Sequence, residues 1–218
     1  ITGFIGAKLF HWLIIPSGLI RDFSLLFENP MEFIKNLGNG FEFFGGIAVG
    51  VVFFYRFCRR HALDPLVTLD VITPAIPLAH AFGRLGCFMA GCCYGEQCDL
   101  PWAVTFNDPH TLAPRGVALH PTQLYESLLL FLLTALLLGN EHRITRIKGR
   151  MISVYILGYT VIRFVVEYFR GDDRGHIAAL NMTGTQIIAL CIAAAAGIWM
   201  LFLQRRNREK SPPENSND

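Results

Sequence analysis

Residues 121–138 read Pro121-Thr-Gln-Leu-Tyr-Glu-Ser-Leu-Leu-Leu-Phe-Leu-Leu-Thr-Ala-Leu-Leu-Leu138, a short polar head followed by an almost unbroken run of leucine. As a helix this stretch is long enough to cross the hydrocarbon core of a bilayer, which takes roughly 17 to 25 mostly apolar residues. The surrounding sequence has the same character. Of the 218 residues, 52% are hydrophobic and 17% charged, and the mean hydropathy is +0.40. A soluble domain of this size carries about a quarter charged residues. The composition therefore predicts a membrane protein.

Five further apolar stretches predict spans: Phe4 to Ile20, with Lys8 inside it; Phe41 to Phe57, opened by Gly45 and Gly46; Pro65 to Phe88, broken by Pro74 and Pro77; Met151 to Phe169; and Thr183 to Leu203. The last holds the small residues Ala193 to Gly197, a surface for close helix packing. The expected fold class is an all-α polytopic membrane protein with about six spans. Residues 1–204 would form one transmembrane domain. Residues 205–218, with Pro212, Pro213, Asn215, Ser216 and Asn217, read as a disordered polar tail. The chain begins at Ile1 rather than Met and reads as a fragment or a processed chain, with no cleavable signal at its start.

Lysine and arginine set the expected orientation, because cytoplasmic loops carry an excess of both. Alternate loops hold Arg56, Arg59 and Arg60; then Arg143, Arg146, Lys148 and Arg150; then Arg205, Arg206, Arg208 and Lys210. The opposite loops hold only Arg21, Lys35, Arg115, Arg170 and Arg174. The C-terminus is expected in the cytoplasm. The outer segment Gly95 to Leu119, with three prolines, Trp102 and Phe106, is long for a connection and is expected to fold as a small cap.

Ionisable groups at membrane depth are costly and mark function. Arg84, Glu126 and Arg170 fall on three separate stretches at one level near the outer face. Arg84 lies between Gly83 and Gly86, a glycine-rich break whose free backbone N–H groups would join it in binding an anion. Arginine matches phosphate with two parallel hydrogen bonds, and a lipid phosphate is the anion available there. Arg163 and Glu167, four residues apart, form either a structural ion pair or part of the same site. A small transporter would need a polar path across the whole bilayer. These groups cluster on one side, and no inverted repeat is visible. No nucleotide fingerprint occurs, and no nucleic acid partner is expected.

Three motifs carry a family resemblance: Gly83-Arg84-Leu85-Gly86 through Gly91 to Gly95; His120-Pro-Thr-Gln-Leu-Tyr-Glu126; and Val165-Val-Glu-Tyr-Phe-Arg170. In this order and spacing they resemble prolipoprotein diacylglyceryl transferase. Phe43-Phe44-Gly45-Gly46 lies where that family has Ser-Phe-His-Gly-Gly, and Gly6-Ala-Lys-Leu9 is similar to its early Gly-Arg-Leu. The resemblance runs from Gly6 to Leu203. It implies seven transmembrane helices, of which one would precede this chain, in the bacterial cytoplasmic membrane. It implies transfer of the diacylglyceryl group of phosphatidylglycerol to the lipobox cysteine thiol of a prolipoprotein, whose signal peptide would be the protein partner. No metal or soluble cofactor is implied. Arg84, His120, Glu126 and Arg170 are then the expected catalytic residues. Gly83, Gly86, Gly91, Gly95, Gln123, Tyr125 and Glu167 would bind substrate.

The sequence departs from the family pattern at identifiable places. Two asparagines and a glutamate of the family are matched by Cys87, Ala90 and Cys92, and the family histidine by Phe44. Of His11, His80 and His120, the remaining histidines near the membrane, His120 is the expected replacement base. These replacements leave open an alternative: a paralogue that binds phospholipid but has lost transfer or uses another acceptor. Cys87, Cys92, Cys93 and Cys98 do not match common zinc spacings. Apolar packing, an outer-face disulfide to Cys98, a nucleophilic Cys92 and a metal site are all compatible with their sequence.

Overall fold

The computed structural model describes residues 2–15, 43–171 and 182–210 as continuous stretches, together with positions 18, 23–25, 27–29, 31–32 and 176–177. Its elements are α1 (Thr2–Ile14), α2 (Phe43–Arg60), α3 (Pro65–Ile72), α4 (Ala75–Ala90), β1 (Val104–Thr105), β2 (Ala118–Leu119), α5 (Thr122–Gly139), α6 (Glu141–Ile144), α7 (Arg150–Glu167), β3 (His176–Ile177), β4 (Met182–Thr183) and α8 (Gly184–Lys210). They form two compact units, Ile1–Pro65 and Leu66–Asp218, where the sequence predicts one domain over residues 1–204.

In the first unit α1 packs on α2. A Cβ at Gly46 would sit 3.1 Å from the Gly3 carbonyl and 3.4 Å from Ala7 Cβ, so small residues set this close approach. Lys8 is buried, with Nζ 5.6 Å from the centre of the Trp12 ring.

The second unit is a sequential bundle in which α4 packs on α5, α5 on α7 and α7 on α8. Its polarity is inverted relative to a soluble bundle. On α5, Leu128, Leu132 and Leu136, four residues apart, point outward, whereas Gln123, Glu126, Ser127, Leu130, Thr134 and Leu137 point inward. Leu130, Leu133 and Leu137 meet Ala81, Met151, Ile162 and Val166 in the core. The inward hydroxyls are satisfied by carbonyls: Ser127 Oγ donates to Ala81 at 3.0 Å, Thr134 Oγ1 to Leu130 at 2.9 Å and Thr160 Oγ1 to Ile156 at 2.8 Å. Polar groups that cannot reach water must find partners this way.

Two helices, Thr122–Gly139 and Gly184–Asn207, are long and apolar enough to cross a membrane, and the pair α3–α4, bent by 40°, makes a third if it is one span. The remaining expected spans do not meet that test among the described residues, for physical reasons. α1 has 13 residues, short of a bilayer's thickness. α2 carries Arg56, Arg59 and Arg60, and α7 carries Arg150, Arg163 and Glu167. The break in α3–α4 falls at Thr73 and Pro74, as the prolines predict. α8 continues to Lys210, so residues 205–210 are helical where the sequence predicts a disordered tail.

Asp70, a buried acid absent from the sequence reading, joins α3 to α7. Its carboxylate accepts from the backbone N–H of Gly149 at 2.7 Å and of Met151 at 2.9 Å. These are donors that a helix start leaves without intrahelical partners, and a negative charge there also suits the helix dipole. In the segment expected to form a cap, β1 pairs antiparallel with β2, Val104 opposite Leu119 and Thr105 opposite Ala118.

Candidate active site

The site grows from the polar ends of α4, α5 and α7. Ser127, on the buried face of α5, holds that helix against α4, and the residue before it, Glu126, faces Arg84 of α4. Arg84 Nη2 lies 3.0 Å from Glu126 Oε1, and Glu126 is fully buried. The Tyr159 hydroxyl of α7 donates to the same oxygen at 3.2 Å, and His80 Nε2 stands 3.9 Å from it. One carboxylate oxygen thus gathers a guanidinium, a phenol and an imidazole. The His80 ring packs on Tyr159 with centroids 5.0 Å apart. Arg84 Nε, Gln123 Oε1 and Glu126 Oε2 are buried and lack hydrogen-bond partners among the described residues. Such atoms cost free energy unless a ligand or water satisfies them.

Arg163 and Glu167 pair at 2.7 Å on α7, the structural reading of their spacing. Thr183 Oγ1 donates to Glu167 Oε1 at 3.0 Å and ties the start of α8 to the pair. Arg170 lies just beyond the end of α7 and is buried. Gly95 places it: the two residues form an antiparallel bridge. A Cβ at Gly95 would fall 2.5 Å from both the Phe169 carbonyl and His120 Cβ, so no larger residue fits. Arg170 hydrogen-bonds the Cys93 thiol.

Gly83 and Gly86 require a correction. α4 runs unbroken through them, so their N–H groups are committed to the helix and cannot bind an anion. They contribute space instead: a Cβ at either would meet nothing within 4 Å. Gly91 ends α4 in the left-handed conformation with φ of 65°, the C-terminal position that favours glycine.

His120 lies just before α5. Its Nδ1 is 3.2 Å from the Tyr125 hydroxyl, which also accepts from Trp102 Nε1 at 2.8 Å. These side chains, with Leu100, Val165 and Phe169, line an apolar cavity of about 340 Å³. His120 engages Tyr125 and packs its ring on Phe169, while His80 approaches Glu126. The sequence reading named His80 but passed over it. Its spacing of four from Arg84, and that of Tyr159 from Arg163, was the available signal.

All six cysteines are free. The outer-face disulfide, one of the four readings the sequence leaves open, is not formed; Cys87, Cys92 and Cys93 come together, with their sulfurs within 4.8 Å of one another. Burial pushes the Cys92 thiol up to about 12, helped by its cysteine neighbours. At Cys93 burial also acts upward, but the Arg170 hydrogen bond and the charges of Arg170 and Arg84 outweigh it and bring the thiol below its ordinary value.

A bundle with leucine outside and arginine–carboxylate pairs inside is a helical membrane protein with a buried ionic site. Comparison with known proteins narrows the class. The family model described as prolipoprotein diacylglyceryl transferase matches residues 1–203. A phosphatidylglycerol–prolipoprotein diacylglyceryl transferase of Clostridium tetani is 39% identical over 210 residues, covering 96% of this chain and 79% of the relative. A second, from Clostridium perfringens, is 32% identical over 88% of this chain and 71% of its own length. A third, from Finegoldia magna, is 34% identical over 87% and 70%. The chain belongs to the prolipoprotein diacylglyceryl transferase family, a family of transferases.

Proposed function

We propose that this protein transfers the diacylglyceryl group of phosphatidylglycerol to the lipobox cysteine of a prolipoprotein, at the outer face of the bacterial cytoplasmic membrane. The observation that carries the reading is Arg84, fixed on Glu126 at 3.0 Å with its buried Nε without a hydrogen-bond partner among the described residues. The phosphate of a lipid headgroup supplies the acceptor that this nitrogen lacks. The names of the relatives supply the substrates.

In the reaction the acceptor thiol loses a proton, its sulfur bonds to the glyceryl carbon, and the carbon–oxygen bond to phosphate breaks. Glycerol phosphate leaves with the bonding electrons, so the step needs no oxidant or reductant. Arg84 and Arg170 offset the charge that grows on the leaving phosphate. Glu126 and Tyr159 orient Arg84, and Gln123 and Tyr125 shape the approach. His120 takes the thiol proton at Nε2, in the tautomer whose Nδ1–H donates to the Tyr125 hydroxyl. The cavity beside His120 and Trp102 suits an apolar segment, an acyl chain or the residues flanking the lipobox. The reading carries about six spans in this chain, with the C-terminus in the cytoplasm, as the lysine and arginine distribution supports.

Complementation of a bacterial strain depleted of its own transferase tests the reading. Mass spectrometry of a reporter lipoprotein should show a thioether-linked diacylglyceryl group. Membrane insertion with phospholipid binding but no such product supports the non-transferring paralogue instead, the alternative that Phe44, Cys87 and Cys92 raise.

A further inference from the structure

The turn after α4 has a feature that diacylglyceryl transfer does not use. α4 ends with Gly91 N–H bonded to the Phe88 carbonyl at 3.1 Å and Cys92 N–H bonded to the Cys87 carbonyl at 3.1 Å. These two bonds define a Schellman motif, which sets the residue two past the helix end against the residue in its last turn, commonly as an apolar contact. Here the two positions are Cys92 and Cys87. The five-residue spacing, unlike a common zinc signature, is the spacing this motif closes. Cys93 then adopts φ of 61°, which turns its thiol back to the same place. Two bonds from α5 pin the turn: Thr122 Oγ1 donates to the Cys93 carbonyl at 2.8 Å and Gln123 Nε2 to the Cys92 carbonyl at 2.7 Å.

Three sulfurs within 4.8 Å are close to what one ion needs. With metal–sulfur bonds of about 2.3 Å, tetrahedral ligands stand about 3.8 Å apart. A contraction of about 1 Å is within the reach of side-chain rotation. Charge separates this cluster from plain apolar packing. Arg170 hydrogen-bonds Cys93, and Arg84 also acts on it. Three thiolates around a divalent cation carry one net negative charge, which these guanidinium groups offset.

We propose that Cys87, Cys92 and Cys93 form a binding site for a thiophilic divalent cation of the zinc and cadmium type. Thiolate sulfur selects such ions over calcium or magnesium. Binding releases up to three thiol protons and moves no electrons. The three ligands leave a fourth position open, as three-ligand zinc sites do. The inference does not depend on the transfer reaction.

The test uses the full chain, reduced, stripped of metal by a chelator and held in detergent. Titration with Cd2+ should produce the ultraviolet thiolate-to-cadmium absorption, saturating at one ion per chain and reversed by Zn2+. Cys87→Ser, Cys92→Ser and Cys93→Ser should each weaken Cd2+ binding by more than the roughly 10–100-fold that loss of an outer partner costs. A Cys58→Ser/Cys191→Ser variant should bind as the parent does. Peptide mapping of the unaltered chain needs no variant to fold: Zn2+ should slow alkylation of the three cysteines and leave Cys191 unchanged. Absence of a saturable band overturns the proposal. So do unchanged alkylation rates, or a Cys87–Cys92 disulfide in the protein isolated without reductant.

Discussion

Arg84 carries the proposed chemistry. Replacing it by alanine should lower kcat/KM by about 10²–10³, the loss seen when one donor to a developing anion is removed. Lysine should restore only part of this, because an ammonium does not reproduce the planar fork; a radiolabelled-lipid transfer assay separates the three. The thiols give a second prediction. Thiolate is the reactive form, and Cys93 is shifted below its ordinary range while Cys92 is raised to about 12. Near neutral pH Cys93 should therefore alkylate faster than Cys92, and Arg170→Ala should slow Cys93 by moving its thiol back up. Equal rates at the two sites, read by mass spectrometry, would contradict that ordering. At this scale the sequence exposed Arg84, Glu126 and Arg170 because charge in an apolar run is conspicuous. It hid His80 and Tyr159, whose polar ends are ordinary until packing aims them at Glu126.

At the scale of elements, two glycines that look alike in sequence should behave oppositely. Gly95→Ala places a methyl against backbone atoms on both sides, and the overpacking should cost about 1–3 kcal/mol. Gly86→Ala meets open space within a helix and should stabilise by about 0.5–1 kcal/mol. Thermal unfolding in detergent should move in opposite directions for the two. Asp70→Ala leaves the Gly149 and Met151 N–H groups unpaired at the start of α7 and should cost about 2 kcal/mol. The proline break in α3–α4 was legible because proline acts locally. The glycine-rich break expected at Gly83–Gly86 is an unbroken helix, since α4, packed on α5, tolerates glycines where its surface is open. The role of Asp70 depends on a partner 79 residues away, and no local pattern reveals it.

For the whole molecule, the helical membrane class followed from the leucine run of α5 and the small-residue run of α8. The number of spans did not follow, because α2 and α7 carry arginines and a glutamate that blur the hydropathy signal. Their placement is a matter of topology and can be measured. A reporter fused after Arg208 should report cytoplasm, and one inserted near Asp108 the outer compartment; the reverse pattern would remove the charge-bias argument. The central claim is the transfer itself. Its most direct test incubates the purified chain with phosphatidylglycerol and a peptide carrying a lipobox cysteine, followed by mass spectrometry of peptide, protein and released headgroup. The expected products are a thioether-linked diacylglyceryl group on the peptide and free glycerol phosphate, with no lipid adduct on Cys92 and loss of product with Arg84→Ala. A peptide left unmodified, or one carrying an acyl group in place of diacylglyceryl, would contradict it.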